Sequence, residues 1–252
     1  MPDCHPFFPY DASVASKYDS LRGWRPPIPE RILAAAGARP GCRFLDLACG
    51  TGNLMLALHS RCAAGYVGID LSPDMLRIAR GKLPQAVFVR GNVAGMPFAA
   101  GSFDVLAGAF FIHHLPEGER ALFFKEARRV LKKGCLAIVT RSHSQIRECL
   151  IGRFFPEAAE IDQRRFPEIG QIEAGLREAG FREVFSEPIV DREIAVNEAY
   201  VKWMEGRPVS TLDMIPEEAF AAGIARLRAY AASPQARDER QTPFTLVSGR
   251  KV

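Results

Sequence analysis

From residue 43 onward, short runs of apolar and β-branched residues alternate with longer stretches in which apolar positions recur every three or four places. The first kind of run suits a buried strand, and the second suits a helix with one face on a core. Strands are predicted at 43–47, 66–70, 86–90, 103–108, 135–140, 182–187 and 244–249. Ser72 is placed to cap the helix after the second strand, Pro73 fits its first turn, and Gly81 lies near its end. Beyond Glu117 a further helix sets Leu122, Phe123, Ala127, Val130 and Leu131 on one side. Lys132, Lys133 and Gly134 predict its close, by cations at the negative end of the helix dipole and a left-handed cap. Alternation of this kind predicts an α/β fold: a doubly wound, mostly parallel sheet covered on both faces.

Three segments interrupt the pattern: 1–40, with a helix expected near 28–36, then 141–167, then 197–233. In the last, Phe220, Ile224, Leu227 and Tyr230 recur at helical spacing, and the expectation is that this stripe packs against the sheet. Ligands of open α/β sheets sit beyond the carboxyl ends of the strands, so insertions near that edge are natural lids.

Composition adds limits. At 252 residues, 48% hydrophobic and 25% charged, the chain has the makeup of an ordinary globular protein with one large core. No apolar run approaches the roughly 18 residues that span a bilayer, and the first ten residues lack the features of a signal peptide, which predicts a cytoplasmic protein. The formal charge of +4 is dispersed, with acids and bases interleaved as in 117–133, so no basic stripe points to nucleic acid. Six cysteines carry no C-x-x-C spacing and read as reduced thiols, mostly buried, with no metal site.

The stretch FLDLACGTGNLMLAL, residues 44–58, bears the chemistry. A strand ends near Asp46 and runs into Gly50 and Gly52, which allow a tight turn and close approach of backbone to ligand before a helix begins. A nicotinamide dinucleotide would call for a small residue three places after Gly52, where Met55 stands. Asp46 would repel a phosphate and attract an ammonium group. Asp70, eighteen residues after Gly52 at the tip of the second strand, is placed to accept from ribose hydroxyls. Asn92 offers a carbonyl oxygen to an adenine amino group and Val93 a backbone N–H to a ring nitrogen. A nucleoside with an amino-acid end describes S-adenosyl-L-methionine.

In this order, DLACGTG, GIDLSPDML, GNVAGMPF, FDVLAGAFFIHHL and EARRVLKKGCLAIVT resemble the class I S-adenosylmethionine-dependent methyltransferases, in particular the ubiquinone-biosynthesis-like or type 11 branch. The resemblance spans 44–140. It implies a Rossmann-like seven-stranded sheet whose last strand is antiparallel. It implies binding of S-adenosyl-L-methionine, released as S-adenosyl-L-homocysteine, by Asp46, Ala48, Gly50, Gly52, Asp70, Leu71, Asn92, Val93 and Ala109. Ala48 replaces a frequent glycine and Asn92 a frequent aspartate. Tyr18, in VASKYDSLRGW, resembles a residue of the segment that closes over the cofactor in related enzymes. The implied organisation is a single domain over 1–252, with an N-terminal lid segment (1–40), a cofactor-binding core (41–140) and substrate-side insertions (141–167 and 197–233).

Methyl transfer from a sulfonium is an in-line displacement that rests mainly on positioning, with a base useful only where a proton must leave. Candidates for such a base are His143, His114 and His113, which follow the fifth and fourth strands; each could equally pack or cap. Arg141, Arg164 and Arg165 are candidates for an acidic group on the acceptor, and Trp24 and Trp203 for an apolar pocket. The acceptor is expected to be a small molecule. Two alternatives stay open: an NAD(P)-dependent oxidoreductase on the same sheet, and a protein that binds S-adenosylmethionine without turnover.

Overall fold

The computed structural model describes residues 15–16, 19, 27–190, 195–238 and 243–252. Seven strands form one sheet: β1 (Arg43–Leu47), β2 (Gly65–Asp70), β3 (Val87–Arg90), β4 (Phe103–Ala109), β5 (Leu131–Thr140), β6 (Arg182–Val190) and β7 (Pro243–Lys251). Their spatial order is β3-β2-β1-β4-β5-β7-β6. Pairings from β3 across to β5 are parallel, whereas β7 runs antiparallel to both β5 and β6. The chain leaves β1 toward β2 on one side and reaches β4 on the other, and a crevice opens beyond the strand ends where the order reverses.

Two apolar layers sandwich the sheet, as a parallel sheet requires. One gathers Ile32, Phe44, Met55, Leu76 and Val105 beneath the helices Ile28–Ala36, Asn53–His59 and Pro73–Lys82. The other gathers Leu45, Leu47, Leu106, Phe123, Phe124 and Leu176 beneath Glu117–Val130 and Ile169–Glu178. Ser72 caps as expected, its hydroxyl accepting from the Met75 N–H at 3.3 Å, with Pro73 in the first turn. All seven strands expected from the pattern are present.

Two helix expectations need correction. Leu122 is 53% exposed, and Phe124 takes its place on the buried face. Residues Lys132 to Gly134 do not close that helix, which ends at Val130; they belong to β5. Gly134 serves strand packing, since a Cβ there would lie 1.9 Å from the Asp104 carbonyl oxygen.

The insertions assemble on one another. The helices Leu150–Phe154 and Pro156–Arg165 meet Glu198–Glu205 and Glu217–Ala231 around a separate apolar cluster, while His143–Glu148 joins them through Ile146, which packs on Ala159 and Phe166. Phe155, Leu212 and Leu227 are fully buried there. Phe155 stacks on Phe220 at 5.7 Å and Phe154 tilts against Tyr230 at 5.3 Å. The stripe expected to pack on the sheet therefore packs on the preceding insertion. A helix amphipathicity pattern says that a face is buried and not what covers it. Trp203 is half-buried against this cluster beside Tyr200, at 5.3 Å. No helix among the described residues is long and apolar enough to cross a membrane.

Candidate active site

The loop between β1 and the helix Asn53–His59 is built by unusual backbone angles. Ala48, Gly50 and Gly52 all have positive φ, at 49°, 53° and 76°. Glycine adopts that region freely, whereas alanine is strained there. Nothing lies within 4 Å of where a Gly50 side chain would stand, so its backbone faces open space. At Gly52 a Cβ would fall 3.2 Å from that of Ala79. Asp46, Ala48, Cys49, Thr51, Asn53, Leu54 and Ala109 line a small cleft at the crevice between β1 and β4.

Two carboxyl groups define its electrostatics. Asp46 is 3% exposed, and its Oδ2 has no hydrogen-bond partner among the described residues. Burial, and then the neighbouring charge of Asp70, push its pKa well above the ordinary value of 3.8 against a backbone N–H from Met55. Asp70 accepts from the Gly50 N–H at 2.8 Å and the Ser72 N–H at 2.9 Å, which ties the tip of β2 to the glycine loop. Burial raises its pKa too, and these backbone donors oppose the rise. Neither acid pairs with a described lysine or arginine. Cys49, buried beside both, has its thiol pushed up by the same burial and charges and is inert as a nucleophile.

Residues outside the strand tips complete the rim. Leu71 follows Asp70 and is 40% exposed. Asn92 folds its side chain into the local turn, its Oδ1 accepting from the Ala94 N–H at 2.9 Å, and Val93 is buried. A contact with no counterpart in the motif pattern fixes this turn: the Arg129 guanidinium donates to the carbonyls of Phe98 and Met96 at 2.7 and 2.9 Å. Glu126 accepts from Arg129 and from the Met96 N–H at 2.9 Å. These residues lie in the 117–133 stretch of interleaved acids and bases. Lys82 bonds both Asn53 and Asp19, so a described residue of the N-terminal segment reaches the cleft wall. Burial pushes the Asp19 pKa up, but hydrogen bonds with Lys82, Thr51 and Asn53 and the Lys82 charge together hold it below its ordinary value. Tyr18 and Trp24 lie outside the described residues.

The candidate bases and cations gather along a second line, at the ends of β4 and β5. His113 stacks on Phe166 at 3.9 Å and His114 faces Arg165 at 3.3 Å. His143 Nε2 lies 2.9 Å from the Phe166 carbonyl, which makes that nitrogen the donor. Arg165 also reaches Thr211 at 3.2 Å, so it joins both insertions to the strand ends. Arg164 is exposed. These contacts fasten residues 164–168 over the sheet edge. Arg141 stands apart from them, over the rings of Phe244 and Phe110 at 4.9 and 5.9 Å.

A dinucleotide finds little support in this geometry. Met55 is fully buried, with its terminal methyl 3.0 Å from where a Gly68 side chain would stand. It occupies the close helix–strand contact that a small residue provides in dinucleotide folds, and the unpaired acids would oppose a pyrophosphate.

Residues 44–134 match the family model described as a methyltransferase domain. Among curated relatives, the demethylmenaquinone methyltransferase of Chlorobaculum parvum is 37% identical over 115 residues, which cover 43% of this chain and 47% of that protein. The Staphylococcus aureus protein of the same name is 32% identical over 140 residues, covering 50% and 56%. The chain thus spans about half the length of the curated relatives it matches. Among solved structures, a protein described as a methyltransferase of an antibiotic biosynthesis pathway in Anabaena variabilis superposes with a TM-score of 0.76 at 18% identity, covering 91% of this chain and 98% of that one. Phosphoethanolamine N-methyltransferase 2 of Haemonchus contortus, solved with S-adenosylhomocysteine, has a TM-score of 0.62 at 18% identity, covering 96% and 58%.

Proposed function

We propose that this chain, whose residues 44–134 match the methyltransferase-domain model, is a class I S-adenosylmethionine-dependent methyltransferase acting on a small organic acceptor. The observation that carries the reading is Asp46, a buried carboxyl with an unpartnered oxygen in the cleft wall and no described cation beside it. An ammonium group is the ligand such an atom lacks, and the open side of Gly50 leaves room for backbone approach. When bound, S-adenosylmethionine supplies a sulfonium methyl for displacement and becomes S-adenosylhomocysteine.

The residues divide the binding work. Asp46 takes the ammonium, with Ala48, Gly50, Gly52 and Ala109 forming the wall around it. Asp70 keeps lone pairs free for ribose hydroxyls after accepting two backbone donors. Leu71 offers an apolar surface to a flat base, and Asn92 and Val93 bound its edge. The segments 141–167 and 197–233 form the acceptor-side cover.

Catalysis by positioning suits this arrangement better than general-base catalysis. His143, His114 and His113 have ring contacts to the 164–168 segment, so their role in this reading is to hold the cover. Titration calorimetry with S-adenosylhomocysteine tests the proposal: one site per chain is expected, and absence of heat from pure folded protein refutes it.

A further inference from the structure

We infer that the methyl acceptor is an organic acid whose carboxylate is received by Arg141. The inference rests on the methyltransferase reading above and specifies its acceptor.

Arg141 follows directly on β5, and its neighbour at the end of β4 is Phe110, the residue after cleft-lining Ala109. Val139 of β5 pairs with Ala109, and the Phe110 N–H donates to the Val139 carbonyl at 2.9 Å. The cation therefore stands one residue from the cleft wall, at the carboxyl edge of the sheet. Phe110 has a positive φ of 54°. A bulky residue adopts that angle only when its surroundings hold it there, and here the ring turns edge-on to Phe244 at 5.1 Å beneath the guanidinium.

What Arg141 lacks is an anion. Its Nε is buried without a partner among the described residues, and its Nη1 meets only the Cys149 sulfur at 3.7 Å, a weak acceptor. No described carboxylate lies within 4.0 Å of it. Aromatic faces compensate a cation in part, but they accept no hydrogen bond at the edge of the fork. That edge, Nε with Nη2, matches a carboxylate in two parallel hydrogen bonds. A lone arginine over two phenyl rings favours a monoanion over a phosphate, which would attract a second cation. By contrast Arg164 is exposed and Arg165 is already bonded to His114, Thr211 and Met214. Among the three arginines considered, Arg141 alone holds an unmet donor inside the fold.

The test uses the full chain saturated with S-adenosylhomocysteine, with benzoate and cinnamate as probes and benzamide and cinnamamide as their neutral counterparts. Thermal shift and calorimetry should show the acids binding at least tenfold more tightly than the amides. Arg141→Met should abolish the preference while S-adenosylhomocysteine affinity stays within twofold, and Arg141→Lys should retain part of it. Cofactor-product binding with acid and amide indistinguishable would overturn the anion assignment alone, as would a preference that survives Arg141→Met. A preference for phenyl phosphate over both acids would also overturn it. Failure to bind S-adenosylhomocysteine would overturn the methyltransferase reading and this inference with it.

Discussion

The cofactor half and the helical cover are held together in opposite ways. Around the β1 loop, the decisive groups are backbone amides, positive-φ residues and two acids pressed together without a described counter-ion. In the cover, they are Phe154, Phe155, Phe220 and Leu227, packed as in any small core. The first region stores unfavourable terms that a ligand can relieve, whereas the second sets a positive φ at Arg207 (50°) and a Glu157 Oε2 without a described partner beside a packed apolar core. Local strain and buried charge are common where binding is done, and their removal tends to stabilise the empty protein.

Separating the two regions by mutation is the strongest way to break this contrast. Phe155→Ala should cost about 3–5 kcal/mol by emptying a fully buried site, yet leave affinity for S-adenosylhomocysteine nearly unchanged. Chemical denaturation beside calorimetry measures both, and parallel losses would show that the regions are one unit. Asp46→Asn should do the reverse. Cofactor-product binding should weaken by about 1.5–3 kcal/mol, the worth of a charge-assisted hydrogen bond, while the melting temperature of the ligand-free protein rises.

The sign of that rise follows from the raised pKa. Between the ordinary carboxylate value of 3.8 and the elevated folded value, the unfolded chain has released its proton and the folded protein still holds it, so stability falls as pH increases. Melting curves across that window should show the fall in the wild type and a shallower one in Asp46→Asn, where Asp70 still titrates. The smallest effect belongs to Ala48→Gly, which relieves a φ of 49° and should add about 1 kcal/mol or less. A loss of stability there would mean that the alanine side chain earns its place by packing.

The same contrast governed what the sequence made legible. Acids and glycines at strand tips have few structural uses, so Asp46, Gly50, Gly52 and Asp70 could be picked out; Asp46 lines the cleft and Asp70 holds the Gly50 N–H beside it. The seven strands were readable for a similar reason, because their apolar runs are bounded by turn residues. Glu126 and Arg129 were missed: a charged pair on a helix looks the same whether it meets water or clasps a neighbouring turn. Gly134 was misread because glycine after two lysines ends helices as readily as it admits a close strand crossing. The burial of the 217–231 stripe was legible, but its partner was not, since which helices meet is decided by chain connections far apart in sequence.

One consequence of the strand order concerns synthesis. β6 borders only β7 in the sheet, so although it leaves the ribosome long before residues 243–251, it has no place to dock until they arrive. Strands β1 to β5 can pair while translation proceeds, and the helices of 198–231 can collapse on those of 150–165, but the open edge of β5 waits for its final neighbour. A chaperone that shelters exposed edges would find its longest appointment there.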